Sequence, residues 1–278
     1  MSLRINQNID AQNAYRNLST TQGQMSKSLE KLSSGFRINR AADDAAGLAI
    51  SEGLRSQIGG IKVAVRNTQD GISVVQTAEG GLSETTSILQ RMRDLAVQAA
   101  NEGGNDTNSN KALDSESDEL NKELDRIANK TTFNNVKLLD GSFNKVFQVG
   151  YASGDTTAVK IDNGTASSGF SSTALAVNGI DLTTASGASA AIGSIDTAIK
   201  NVSTARANLG AIQNRFEHTI NNLNTTAENL TASESRIRDT DMAQEMTNFT
   251  RTQILTQAGT SMLAQANQTP QSVLKLLQ

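Results

Sequence analysis

The stretch "SLEKLSSGFRINRAADDAAGLAISEGLRSQI" (28–58) contains the end of one helical pattern and the start of another. Gly35 lies just past the last apolar residue of the first pattern, and glycine at this position commonly ends a helix. Asp43 or Asp44 can then accept the first backbone N–H groups of a new helix. The stretch therefore predicts two helices joined by a short connector.

Apolar residues extend this pattern in both directions at alternating spacings of four and three residues. This spacing is a heptad repeat, which is typical of helices that pack along a narrow apolar seam. Toward the C-terminus it predicts one long helix from Asp43 to Asn101, although interior glycines weaken a helix by about 1 kcal/mol each. Toward the N-terminus, the apolar seam residues are Ala11, Tyr15, Leu18, Met25, Leu29 and Leu32.

The same spacing returns in the second half of the chain. Residues 113–127 predict a third helix, and residues 192–237 and 242–262 predict two more. Thr269-Pro270 predicts the start of a short separate helix, because proline favours the first helical position. Between the third and fourth helices, "FNKVFQVGY" (143–151) and "AVKIDNG" (158–164) alternate apolar and polar residues as strands do.

These patterns predict a mainly α fold, in which N- and C-terminal segments form a discontinuous coiled coil and helical bundle. We expect residues 1–42 and 238–278 to form the two parts of an inner coiled coil, packed antiparallel. Residues 43–132 and 191–237 would supply the helices of a bundle domain. Residues 133–190 would form a short β or irregular segment that contains a hairpin.

The C-terminal sequence "TPQSVLKLLQ" (269–278) places four apolar side chains where chain ends usually fray. Burying them is worth about 6–12 kcal/mol, so this molecule or another copy must cover them. Two single seams leave further apolar surface open, and packing onto other copies would complete them. The residues expected to pack between copies are Leu18, Met25, Leu29, Leu32, Met246, Phe249, Leu255, Met262, Val273, Leu274 and Leu277.

The chain lacks the residue patterns that carry catalysis or bind cofactors and metals. Its one histidine, His218, falls between two seam residues and is best explained as a residue on a helix surface. There is no cysteine and no glycine-rich loop that ends in Gly-Lys-Ser/Thr. The acidic triplet "DTD" (239–241) lacks the glycine and distal glutamate of a calcium loop. We therefore predict no catalytic, cofactor or metal site, and a protein that is not an enzyme.

Charge and hydropathy also narrow the class of partner. The net charge of −3 argues against nucleic acid as a main partner. No apolar run approaches the ~20 residues that a membrane-spanning helix needs. The N-terminal sequence has no continuous apolar core of the kind found in secretory signal peptides. The sequence therefore predicts neither nucleic acid nor a membrane as a partner.

Four stretches together resemble bacterial flagellin. They are residues 28–58, "QRMRDLAVQAAN" (90–101), "ELDRIANKTTFNNVKLLDG" (123–141) and the stretch from "SRIRDTDMAQEM" to "SVLKLL" (235–277). The resemblance covers residues 1–145 and 191–278, in the order of the family. The middle is too short for the large outer domains that many flagellins carry.

The resemblance implies a subunit that assembles with itself into the bacterial flagellar filament, outside the cell, after export by the flagellar type III apparatus. It also implies contacts with a flagellar secretion chaperone, the filament cap and the hook-junction proteins. A hook–filament junction protein shares the same terminal helices and is the alternative function. An enzyme inserted in a flagellin scaffold is disfavoured, because the chain has neither a large middle nor a catalytic constellation.

The resemblance further implies a site for a host Toll-like receptor of the innate immune system. The stretch "QRMRDLAVQ" (90–98) matches the segment that this receptor binds, which gives Arg91, Leu95 and Gln98 as contacts. Glu116 on the third helix occupies the position of a further contact. Asp94 stands where the family usually has glutamate, which keeps the charge and shortens the side chain.

Overall fold

The computed structural model describes residues 7–164 and 169–276, and it describes side chains as far as Thr269. The fold is mainly α with two small hairpins, so the predicted fold class is confirmed. The helices, in chain order, are α1 (Ile9–Ser34), α2 (Ala45–Ala99), α3 (Thr107–Lys130), α4 (Ala185–Arg238) and α5 (Met242–Leu276).

The connector between α1 and α2 shows how the two helices are separated. Gly35 ends α1 with a left-handed φ of 76°, and its N–H donates to the carbonyl of Lys31. Asp44 caps α2, since its Oδ1 accepts the N–H of Gly47 at 2.8 Å. Asp43 serves the connector itself, where its carboxylate accepts the N–H groups of Arg40 and Asn39. These two N–H groups hold the pKa of Asp43 below its ordinary value.

Two antiparallel hairpins follow α3. Strands β1 (Thr132–Phe133) and β2 (Val136–Lys137) are joined by Asn134 and Asn135, both with positive φ. Positive φ at both central residues is the requirement of the tight turn that suits hairpin twist, and asparagine tolerates it. Strands β3 (Asn144–Gln148) and β4 (Thr156–Lys160) form the second hairpin, within the predicted β segment.

The chain divides into two compact units, which share α2 and α4. Residues 1–56 and 228–278 form one unit, and residues 57–227 form the other. These divisions fall inside α2 and α4, whereas the bounds predicted from the sequence follow the connectors. The sequence-based domain bounds therefore stay a prediction.

The unit of residues 57–227 holds the hydrophobic core. Apolar residues of α2 and α4 recur at helical spacing and are almost fully buried against each other and the hairpin region. The two helices contribute, among others, Val75, Leu82, Leu89 and Met92 from α2, and Ile195, Val202, Leu209 and Phe216 from α4.

The irregular segment before α4 is fixed to the acidic helix α3. Asp125 Oδ1 accepts both the N–H and the hydroxyl of Ser172, at 2.8 and 2.9 Å. Asp114 Oδ1 accepts the N–H of Leu182 at 3.0 Å. Two carboxylates of α3 therefore accept backbone N–H groups of this segment, which has no helical or sheet partners for them.

Some glycines of α2 leave room for neighbouring side chains. A Cβ at Gly81 would lie 2.8 Å from Leu139 Cδ1 and 3.1 Å from Thr131 Oγ1, whereas a Cβ at Gly80 would meet nothing within 4 Å. Similarly, a Cβ at Gly71 would lie 2.8 Å from the ring of Phe216. Close packing of α2 thus offsets the weak helix propensity of these glycines.

At the paired glycines we expect opposite effects of one added methyl group. Gly81→Ala should lower the free energy of unfolding by about 1–3 kcal/mol, because the new Cβ overpacks the site. Gly80→Ala should raise it by up to about 1 kcal/mol, since alanine is the better helix former and has space. Urea unfolding of the full chain measures both, and equal changes at the two positions would contradict the packing account.

The cap of α3 gives a pH dependence. Asp106 Oδ1 accepts the N–H of Ser109 at 2.7 Å, and hydrogen bonds from Ser109 lower the pKa of Asp106 below 3.8. A lowered pKa in the folded state means that this carboxylate adds stability above pH 3.8 and that the gain is lost as pH falls through the lowered pKa.

We therefore expect Asp106→Asn, which keeps a capping side chain without a titrating group, to reduce the fall in Tm between pH 7 and pH 3. Thermal unfolding followed by circular dichroism measures this fall in both proteins. An unchanged fall would show that the cap does not titrate with folding.

Candidate subunit-packing surfaces

Helices α1 and α5 lie side by side and antiparallel. Their connectors meet in a single bridge, in which Phe36 pairs with Asp239. The N–H of Arg37 donates to the carbonyl of Arg238 at 2.6 Å, and the N–H of Thr240 donates to the carbonyl of Gly35 at 3.0 Å. Since α1 ends at this bridge and α5 begins at it, the two helices run back along each other.

The faces that the two helices turn to each other consist mainly of small residues. Along both helices, buried or half-buried positions recur at alternating spacings of three and four. On α1 they include Ala11, Ala14, Leu18, Thr21, Met25, Ser28 and Leu32. On α5 they include Glu245, Phe249, Thr252, Thr256, Gly259, Leu263 and Ala266.

The structure therefore places part of the predicted seam of α1 outside the helix pair. Tyr15 is 66% exposed and Leu29 is 57% exposed, and the neighbouring Ala14 and Ser28 are buried or half-buried instead. A shift of one position corresponds to ~100° around a helix. This flank of α1 thus exposes two large apolar side chains that no other described residue covers.

A second open apolar face lies on α5. Ile254 and Leu255 are exposed, and Met262 is 65% exposed. Ile254 and Leu255 border an open depression of about 500 Å³, together with Met246 and the side chain of Arg251. We call this the open face of α5, and the flank of Tyr15 and Leu29 the open face of α1.

The predicted packing residues fall into three groups. Those that are half-buried between α1 and α5 are Leu18, Met25, Leu32 and Phe249. Those that are exposed are Leu29, Met246, Leu255 and Met262. For Val273 and Leu274 the structure describes only backbone within α5, and Leu277 lies outside the described residues. The helix also continues without a break through Pro270, so the predicted separate start there is not found.

The residues predicted to contact an innate receptor lie on α2 and α3. Arg91 and Glu116 form an exposed ion pair, with Nη2 and Oε1 2.7 Å apart. Gln98 is also exposed. Leu95 is only 1% exposed and belongs to the hydrophobic core. Its side chain is therefore not offered to a partner, a distinction that the sequence motif could not make.

Polar residues also lie along α2 and α4, and some of them form ion pairs between the two helices. Arg206 of α4 reaches Glu79 of α2 with both Nε and Nη2 at 2.8 Å. Arg93 and Asp196 join the same helices at 2.7 Å, and the hydrogen bond to Asp196 raises the pKa of Arg93. Partly exposed ion pairs add little stability, so their main effect is to fix which positions of the two helices face each other.

The residues described, 7–164 and 169–276, contain no group of three or more histidine, cysteine or acidic side chains that could hold a metal ion. Over the same residues, no helix is both long and apolar enough to cross a membrane.

Two family models match the chain. The model of the bacterial flagellin N-terminal helical region matches residues 5–144, and that of the bacterial flagellin C-terminal helical region matches residues 192–277. A flagellin of Halalkalibacterium halodurans is 54% identical over 274 residues, which cover 98% of this chain and 99% of that protein. A flagellin of Bacillus subtilis is 50% identical over 303 residues, which cover 99% and 100%.

A solved structure agrees with these relatives. The crystal structure of Bacillus cereus flagellin has a TM-score of 0.50 and 35% identity, and the match covers 61% of this chain and 94% of that one. The resemblance seen in the sequence motifs is thus confirmed, as is the prediction of a structural protein that is not an enzyme. The chain belongs to the bacterial flagellin family.

Proposed function

We propose that copies of this chain pack together through the open faces of α1 and α5, and that this packing builds the flagellar filament. Family membership supports a structural subunit of the filament. The observation that carries the proposed surfaces is the row of exposed apolar side chains on two helices whose other faces already pack against each other. Neighbouring exposed apolar side chains, as on α5, mark an interaction site.

Burial of these faces would supply substantial free energy. Complete burial of one leucine, isoleucine or methionine side chain is worth about 1.5–3 kcal/mol. Ile254, Leu255 and Met262 are each about half exposed, so together they offer about 3–5 kcal/mol before the entropy of association is subtracted. By comparison, the large apolar residues between α1 and α5, such as Leu18, Met25 and Phe249, are themselves only half-buried. Neighbouring copies would thus add a large part of the stability of this helix pair.

The two open faces differ from each other, and this difference favours a filament over a closed dimer. A symmetric dimer joins the same surface of two copies, whereas joining two different surfaces repeats without closing unless the rotation returns to the start. The open face of α1 presents Tyr15 and Leu29, and that of α5 presents Ile254, Leu255 and Met262. Head-to-tail contact between unlike faces gives an open helical array.

Charge on the open face of α5 should stop growth. We expect Leu255→Asp combined with Met262→Asp to reduce seeded elongation at least tenfold, because burying an unpaired carboxylate between copies is strongly unfavourable. Gln257→Asp, at an exposed polar position of the same helix, is the matched control and should elongate normally. Electron microscopy of purified chain after addition of filament fragments measures the growth.

Normal filaments from the double variant would exclude the open face of α5 as a packing surface. We extend the same proposal to Val273, Leu274 and Leu277, the apolar residues of the C-terminal tail. A chain that lacks residues 269–278 should also fail to elongate. If it elongates normally, the tail is not an assembly contact.

We also propose that this subunit is exported by the flagellar type III apparatus and acts outside the cell. A secretion chaperone would cover the open face of α5 before assembly, and the filament cap and hook-junction proteins would contact subunits at the filament ends. The alternative function, a hook–filament junction protein, requires only a few copies per flagellum. Counting copies per flagellum by quantitative mass spectrometry separates a filament subunit from a junction protein.

A host Toll-like receptor is the second proposed partner, at the exposed residues Arg91 and Gln98 and the half-exposed Glu116. The supporting observation is that these three expected contacts lie at the surface of α2 and α3 and that two of them form an ion pair. The side chain of Leu95 is left out, because it lies in the core.

Reversing one charge at this surface should weaken receptor activation. We expect Glu116→Lys to reduce the response of a receptor reporter cell about tenfold or more, since the charge of the proposed contact is reversed and a like charge then faces Arg91. Glu119→Lys is the matched control, because Glu119 is an exposed acid on the same helix that pairs with Lys122. Equal losses in the two variants would argue against a local contact at Glu116.

A further inference from the structure

The register of the α1–α5 pair needs an explanation. The residues between the helices are mostly small and recur every heptad, so a slip by seven residues brings similar side chains together. Competing registers of a repetitive seam differ little in energy unless specific contacts distinguish them. A helix pair that assembles with other copies must nevertheless present its outer faces in one alignment.

Two contacts mark the register that the chain adopts. At the connector, Phe36 opposes Asp239. Midway along the pair, Leu18 lies against Gly259, where its Cδ1 is 3.1 Å from the position that a glycine Cβ would take. Leu18 lies 18 residues before Phe36 on α1, and Gly259 lies 20 residues after Asp239 on α5. The two contacts therefore agree on one register to within about half a helical turn.

A third contact lies at the far end of the pair and involves the only proline of the chain. Pro270 is inside α5 and has no N–H, so the carbonyl of Ala266, four residues earlier, lacks its helical donor. Asn8 Nδ2 donates to this carbonyl at 2.8 Å. Asn8 Oδ1 accepts the N–H of Ala11 at 3.0 Å and thereby caps α1.

We propose that Asn8 and Pro270 form a register lock for the α1–α5 pair. Pro270 frees one carbonyl in the interior of α5, and the side chain that starts α1 binds it. A slip of one heptad toward the connector would bring Asn8 to the carbonyl of Gly259, which already accepts a bond within the helix. The slipped pair would leave both the Asn8 amide and the Ala266 carbonyl without this partner, which destabilises it.

At the connector, Arg238 secures the opposite end. Its Nη1 lies 2.8 Å from Glu52 Oε1, its guanidinium carbon lies 4.9 Å from the centre of the Phe36 ring, and its carbonyl accepts the N–H of Arg37. A heptad slip must break the connector bonds, and a pair fixed only at the connector can still separate at its far end, about 25 residues away. The lock at Asn8 fixes the other end, so the register is defined at both.

This lock concerns a single chain and is independent of how copies assemble. Its consequence for the filament rests on the proposed function, since a fixed register holds the open faces of α1 and α5 in one alignment. Loss of the lock would then give subunits whose two faces do not match those of their neighbours.

Disulfide trapping reads the register directly, because the chain has no cysteine of its own. Thr256→Cys is combined in three full-length proteins with Thr21→Cys, Ala14→Cys or Ser28→Cys. In the observed register Thr21 is opposite Thr256, whereas Ala14 and Ser28 reach it only after a slip of one heptad in either direction. Bridge formation is measured in dilute solution and also in filaments that contain a small fraction of the variant in cysteine-free chain, where only intrachain bridges form.

We expect the pair at 21 and 256 to bridge at least tenfold faster than either slipped pair. Asn8→Asp keeps the cap of α1 but cannot donate to Ala266, and it should lower this preference about fivefold, as for one lost hydrogen bond. Pro270→Ala should lower it similarly while raising the helix content of α5, because alanine restores the missing backbone bond. If Pro270 merely weakened the helix, Pro270→Ala would instead raise the preference for the bridge between positions 21 and 256.

Two results would overturn the proposal. One is an unchanged preference in both Asn8→Asp and Pro270→Ala, which would place register control elsewhere. The other is the absence of any preference in solution and in filaments alike, which would mean that the pair has no fixed register. If the preference is as expected but filaments do not grow, the proposed function fails and the lock stands.

Discussion

The antiparallel pairing of α1 with α5 is the constraint on which the terminal unit depends. These helices lie at opposite ends of the chain, and the bridge between Phe36 and Asp239 joins their connectors across the whole of the intervening sequence, residues 37–238. Closing so long a loop costs conformational entropy that only later contacts offset. The intervening residues fold into their own core, and a folded core reduces this cost because it restricts the places where the two connectors can be.

The small residues between α1 and α5 have two effects on packing. They allow close approach, as Gly259 does for Leu18, while other large apolar side chains such as Tyr15, Ile254 and Met262 stay on the outside. A helix pair of this kind is stabilised modestly from within and substantially by whatever covers it. The core of residues 57–227 is organised in the opposite way, with leucine, isoleucine and phenylalanine turned inward.

Much of this fold was predictable from the sequence because heptad spacing, Gly35 and the caps at Asp43 or Asp44 are local signals. Periodicity identifies a helix but leaves the direction of its buried face uncertain by about one residue. For this reason the sequence predicts Tyr15 and Leu29 in the seam, where the structure has Ala14 and Ser28. The partners of Asp114 and Asp125 were also missed. Hydrogen bonds between an acidic helix and an irregular loop depend on tertiary placement, for which a single sequence carries no signal.

The separation of α1 and α5 along the chain also fixes an order in time. α1 is complete once residue 34 has been made, but its partner is complete only at residue 276. At ~5–20 residues per second, the ribosome takes on the order of 10–50 s to supply that partner. The first helix to emerge is therefore paired only when the last one has been made, and during this interval the face that α5 later covers is available to any other apolar surface in the cell.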